Sequence, residues 1–66
     1  MEIVINGAPH EVADDVSLER AVSLISHAAS GIAAAVNGEL VRRASWPSTR
    51  LAAGDEVEVL TAVQGG

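Results

Sequence analysis

"VSLERAVSLISHAAS", residues Val16 to Ser30, is the stretch of this chain that carries a helical period. Leu18, Ala21, Val22, Ile25, Ala28 and Ala29 recur there at three- and four-residue spacing, which gathers them on one helical face. Ser17 suits the N-cap, because its hydroxyl can accept from a free backbone N–H of the first turn. Asp14, Asp15 and Glu19 place negative charge at the positive end of the helix dipole, and His27 lies near the opposite end. Gly31 supplies the left-handed stop. A single helix with one apolar stripe must lay that stripe on something, so the segments flanking it decide the fold.

On the N-terminal side, "MEIVING" alternates Ile3 and Ile5 with Glu2 and Val4, the period of a strand. Asn6-Gly7 is a hairpin signal, and "HEVA" returns as a second strand before Asp14-Asp15. On the C-terminal side, "IAAAVNGELV" reads as a third strand, an Asn37-Gly38 turn and a short fourth strand. "RRASWPSTRLAAGD" has no clear period. Pro47 bars a regular strand in it, and Ala53-Gly54-Asp55 forms a turn. "EVEVLTAV" is the last strand, with Val57, Val59, Thr61 and Val63 on one face and Glu56, Glu58, Leu60 and Ala62 on the other. The order is β-β-α-β-β-β, an α+β chain with its one helix packed across one face of the sheet. The first hairpin and the last strand are expected to be neighbours, because the middle of the sheet needs the most apolar strands.

Composition narrows the function classes. Sixty-six residues make one small domain, too small to enclose a deep substrate pocket. That points away from a self-contained enzyme and towards a module that works by meeting partners. Cysteine is absent, which removes disulfides, thiolate metal sites and a cysteine nucleophile. His10 and His27, separated by the helix, make a poor metal pair and are read as structural or surface residues; no metal site is expected. The net charge of −5 disfavours nucleic acid and anionic membrane, which both demand a basic face, and suits a basic or neutral protein partner. No apolar run is long enough to span a bilayer and no signal peptide opens the sequence, so a cytoplasmic protein is expected.

The last strand runs into Gln64, Gly65 and Gly66. Two glycines without Cβ atoms make the narrowest stem a peptide can offer, one able to lie extended in a tunnel that rejects side chains. A carboxylate at its end is ionised and a poor electrophile. It reacts once activated, most simply as a mixed anhydride with a nucleotide phosphate, which a sulfur or nitrogen nucleophile can displace. Retention of sulfur yields a thiocarboxylate. The chain has no glycine-rich phosphate loop and no lysine, so ATP and Mg²⁺ must be handled by a partner, and no cofactor is expected on this chain itself.

"VNGELVRRASW" at 36–46, "LAAGDEVEVLTAVQGG" at 51–66 and the opening "MEIVING" together resemble the ThiS family of sulfur-carrier proteins of thiamine biosynthesis, within the ubiquitin-like β-grasp superfamily. The likeness spans nearly the whole chain; Arg42 stands where a Pro often precedes the Arg, a departure confined to a loop. The resemblance implies a mixed sheet, a β-grasp domain over 1–64 and a flexible Gly-Gly tail at 65–66. It implies a carrier rather than an enzyme. An E1-like adenylyltransferase (ThiF-like) would adenylate Gly66, a sulfur donor protein would convert it to the thiocarboxylate, and a thiazole synthase (ThiG-like) would take the sulfur. Gly66 is then the reacting residue and Gly65 its stem.

Leu60 and Ala62, with Glu58 and Gln64 beside them, are candidates for the partner-docking patch, because a carrier must dock near its tail. Arg42 and Arg43 read as a solvated turn, and Trp46 as the plug at one end of the core. Three other functions fit the same residues: the small subunit of a molybdopterin-synthase-like enzyme, a ubiquitin-like protein modifier, and a β-grasp binding module whose glycines are idle.

Overall fold

The computed structural model describes residues 1–25 and 31–61, the last without its side chain. Strands β1 (Glu2–Ile5) and β2 (Ala8–Glu11) form a hairpin, followed by helix α1 (Leu18–Ser23). Strands β3 (Ile32–Val36) and β4 (Glu39–Val41) form a second hairpin, a 3₁₀ helix covers Arg43–Ser48, and β5 (Glu56–Thr61) ends the described chain. The order is the one the periodicities predict, but β2, expected over "HEVA", lies earlier at Ala8–Glu11, because the tight Asn6-Gly7 turn pairs Ala8 directly with Ile5. The strands make one five-stranded sheet in the order β2-β1-β5-β3-β4. The last strand lies in the middle, parallel to β1 and antiparallel to β3, so the sheet is mixed.

Both Asn-Gly pairs form hairpin turns with positive φ at each residue: 51° and 84° at Asn6-Gly7, 51° and 85° at Asn37-Gly38. Two consecutive left-handed residues twist the turn to match the right-handed twist of its strands. Gly54, at φ 83°, serves the turn before β5, which the Asp55 carboxylate closes by accepting from the Ala52 N–H at 2.7 Å.

One face of the sheet contributes Ile3, Ile5, Ala34, Val57 and Val59 to the core, and α1 lays Leu18, Ala21 and Val22 against them. Val16, Trp46 and Leu51 close its ends. Trp46 is 3% exposed, and its indole N–H donates to the Val41 carbonyl at 2.9 Å, so the ring plugs the core while its one polar atom is satisfied.

The helix departs from expectation at its C-terminal end. The Ser17 cap forms, with the Arg20 N–H donating to its hydroxyl at 3.2 Å. The apolar stripe, however, does not carry Ile25 into the core with Leu18, Ala21 and Val22. The Ser23 hydroxyl donates to the Arg20 carbonyl at 2.6 Å, the acceptor that a continuing α-helix would offer to Leu24. The Leu24 and Ile25 N–H groups bond instead to the carbonyls three residues back, Ala21 and Val22. This tightening turns Ile25 off the buried face, and it is 39% exposed. Ala28, Ala29 and His27 lie outside the described residues. Asp14 also takes a different partner: its carboxylate accepts from the N-terminal ammonium at 3.2 Å.

Candidate functional site

Among the described residues there is no group of three or more His, Asp or Glu side chains arranged to hold a metal ion, and no helix long and apolar enough to cross a membrane. His10 is a half-buried member of β2. A shallow cavity of about 250 Å³ lies between Glu11, Val12, Ala13, Val16, Arg20 and Leu24. Its walls bring one carboxylate and one guanidinium together with no nucleophile. Among the described residues, this cavity therefore gathers no catalytic constellation.

What the fold does present is the open face of its sheet around β5. Strand alternation buries Val57 and Val59 and turns Glu56, Glu58 and Leu60 to solvent. Leu60 is 65% exposed, as the sequence anticipates, and Glu58 is exposed beside it. The register with β3 sets Ala33 opposite Leu60 and Ala35 opposite Glu58. The register with β4 sets Leu40 opposite Ala35, and Leu40 is 74% exposed. Ala33, Ala35, Leu40 and Leu60 thus form one apolar strip across three strands, with Glu56 and Glu58 along one border. Leu40 escapes the sequence reading. Its alternation with Val41 was legible, but its neighbourhood with Leu60 depends on β5 lying one strand away from β4.

The arginine turn is more ordered than a solvated loop. Arg43 caps the Trp46 ring, its guanidinium carbon 5.1 Å from the ring centroid. Arg42 is extended and exposed just past the end of β4, and one further step of the β4 register would set it opposite Ala33.

Both hairpin asparagines reach β5 with their side chains. The Asn37 amide oxygen accepts from the Glu56 N–H at 2.9 Å, and its nitrogen donates to the Asp55 carboxylate at 3.1 Å. The Asn6 amide oxygen accepts from the Val59 N–H at 2.8 Å, and its nitrogen donates to the Val59 carbonyl at 3.2 Å. The central strand is pinned near its start by one turn and further along by the other. Of the sequence candidates, Leu60 and Glu58 lie on the open face, while Ala62, Gln64, Gly65 and Gly66 lie outside the described residues.

Comparison with known proteins converges on one family. The model of the ThiS family matches residues 3–66. A crystal structure of the thiamine biosynthesis protein ThiS from Geobacter metallireducens superposes with a TM-score of 0.84 at 30% identity, covering 100% of both chains. A solution structure of a thiamine biosynthesis protein from the same organism gives 0.79 at 29% identity, covering 100% of this chain and 88% of that one. No curated protein matches. The sheet order, the helix packed against the sheet and the family match agree: the chain has the β-grasp fold and belongs to the ThiS family.

Proposed function

We propose that the chain is a sulfur carrier of thiamine biosynthesis that works through the carboxylate of Gly66. The observation that carries this reading is the ThiS family match over residues 3–66, which takes in the Gly65-Gly66 pair. In the proposed cycle, the Gly66 carboxylate oxygen attacks the α-phosphate of ATP in the active site of an E1-like adenylyltransferase. Pyrophosphate leaves and an acyl-adenylate forms. Hydrosulfide delivered by a donor protein attacks the acyl carbon, AMP leaves with the phosphate oxygen, and the thiocarboxylate remains; a thiazole synthase incorporates that sulfur, and an oxygen nucleophile at the acyl carbon restores the Gly66 carboxylate. ATP and Mg²⁺ belong to the adenylyltransferase; this chain supplies the acyl group and the surface by which it is held.

The division of labour follows from size. A domain whose one core is filled by Ile3, Ile5, Leu18 and Val57 has no interior in which to shelter a reactive anhydride from water, so activation must occur inside a partner. The strip of Ala33, Ala35, Leu40 and Leu60 is the surface offered for that encounter. Its apolar centre and acidic border match the anatomy of a transient protein interface. Ala62 and Gln64 follow Leu60 in sequence and are proposed to extend the contact towards the stem.

The test is the intact mass of the protein isolated from its own cells. A population in which one oxygen is replaced by sulfur, mapped to the C-terminal peptide, is the expected result. A variant with one residue added after Gly66 should fold and take up no sulfur; if it is loaded as well as the parent, the carrier reading fails.

A further inference from the structure

Strand β5 is held unequally by its two neighbours. Against β3 it pairs over five residues, from Glu56's neighbour Val57 through to Thr61. Against β1 it pairs at two positions only, Val4 with Glu56 and Ile5 with Val57. The parallel ladder on that side advances regularly: the Val4 N–H donates to the Asp55 carbonyl and the Asn6 N–H to the Val57 carbonyl, each at 2.9 Å. The next rung would bring an N–H two residues beyond Asn6 to the Val59 carbonyl. The chain has already turned away at Gly7 to form β2, so that donor is missing. The Asn6 side-chain amide fills the place, donating to the Val59 carbonyl and accepting from the Val59 N–H. It extends the β1 side of the ladder by one residue pair, up to the position before Leu60.

We propose that Asn6 is a positioning residue for the adenylation encounter: by completing the sheet at Val59 it holds β5 in register up to exposed Leu60, and so orders the strip that is offered to the adenylyltransferase before the two meet. This role rests on the sulfur-carrier reading. Its physical content is preorganisation. A strand held on both sides meets its partner already ordered, whereas a strand free on one side must be ordered during binding, and that cost appears in KM.

The molecule contains its own control. Asn37 sits at the equivalent place in the other hairpin with the same φ of 51°, and its amide also bonds to β5, but at Glu56, the far end from Val59. Asn6→Gly and Asn37→Gly each remove one amide clamp while leaving a residue that accepts positive φ without strain. Neither glycine would introduce a side chain, so the two variants differ chiefly in which end of β5 they release.

Hydrogen exchange reads the clamp without any partner. The Val59 N–H should exchange about tenfold faster in Asn6→Gly, the size expected when one hydrogen-bond partner is removed, and be unchanged in Asn37→Gly after correction for global stability. Adenylation kinetics, followed by pyrophosphate release with the adenylyltransferase of the same organism, read the function. Asn6→Gly should raise KM by roughly threefold to tenfold at unchanged kcat, and Asn37→Gly should leave KM near the parent value. Asn6→Asp tolerates the turn and keeps the acceptor for the Val59 N–H, so it should recover part of the lost protection and gives a usable variant if the glycine form folds poorly. Equal KM increases in the two glycine variants, or Val59 exchange indifferent to Asn6, would overturn the proposal. A parent chain that is never adenylated, with Val59 still protected through Asn6, would overturn the carrier function and the role given to Asn6 within it, while the clamp itself would stand.

Discussion

Trp46 and Leu60 are both large, both apolar, and opposite in what they do. Trp46 is nearly inaccessible and carries the N–H bond to Val41, in a core with no other aromatic ring. Replacing Trp46 by Ala removes the plug and opens a cavity, and should cost about 3–5 kcal/mol of unfolding free energy in urea titrations. Trp46→Phe keeps most of the buried ring but leaves the Val41 carbonyl without its donor and Arg43 over a weaker π face, and should cost about 1–2 kcal/mol. Leu60 has little to lose on folding. Leu60→Ala should leave unfolding free energy within about 0.5 kcal/mol of the parent and weaken binding to the adenylyltransferase about tenfold, measured by calorimetric titration. Loss of stability without loss of affinity would overturn the docking role proposed for Leu60.

The helix illustrates where pattern ends and local bonding takes over. The three- and four-residue spacing correctly selects Leu18, Ala21 and Val22 for the core, and then continues to Ile25, which is not buried with them. Local bonding accompanies the departure: the Ser23 hydroxyl donates to the Arg20 carbonyl and the Leu24 and Ile25 N–H groups bond three residues back, features that hydrophobic periodicity does not register. The strands and turns were legible because each is written locally, in alternation and in Asn-Gly pairs. The second task of those asparagines was not, since Asn6 and Val59 stand 53 positions apart and meet only once β5 is inserted beside β1. Leu40 was missed for the same reason. The element-scale prediction follows from the helix: Val22→Ala should cost about 2 kcal/mol, from two lost methyl groups and a small cavity, whereas Ile25→Ala should cost less than about 1 kcal/mol despite its larger truncation. Thermal unfolding of the two variants side by side decides whether the stripe ends at Val22.

At the scale of the whole molecule, charge separates folding from docking. The chain carries a net charge of −5, and the ion pairs found among the described residues are those of the N-terminal ammonium with Glu11 and Asp14. Arg43 stacks on an aromatic ring and Arg50 donates to the Asp15 carbonyl, and nine acidic side chains outnumber the four arginines, so repulsion among carboxylates dominates the charge balance. With a radius of gyration of 11.3 Å, most carboxylates lie within one Debye length of each other, about 30 Å at 0.01 M salt, and their repulsion is then weakly screened. Added salt has repulsion to screen and few attractions to weaken, so raising NaCl from about 0.01 to 0.5 M should increase Tm by a few degrees. The same screening acts with the opposite sign on the proposed encounter, in which Glu56 and Glu58 border the strip offered for docking. A basic partner drawn to that border should associate more slowly as salt rises, with KM increasing over the range in which Tm climbs. Calorimetric scans and adenylation kinetics in one salt series measure both. Glu58→Gln should flatten the KM dependence and leave the Tm dependence nearly intact, because it removes one of nine acidic side chains from the fold's repulsion but a border charge from the interface.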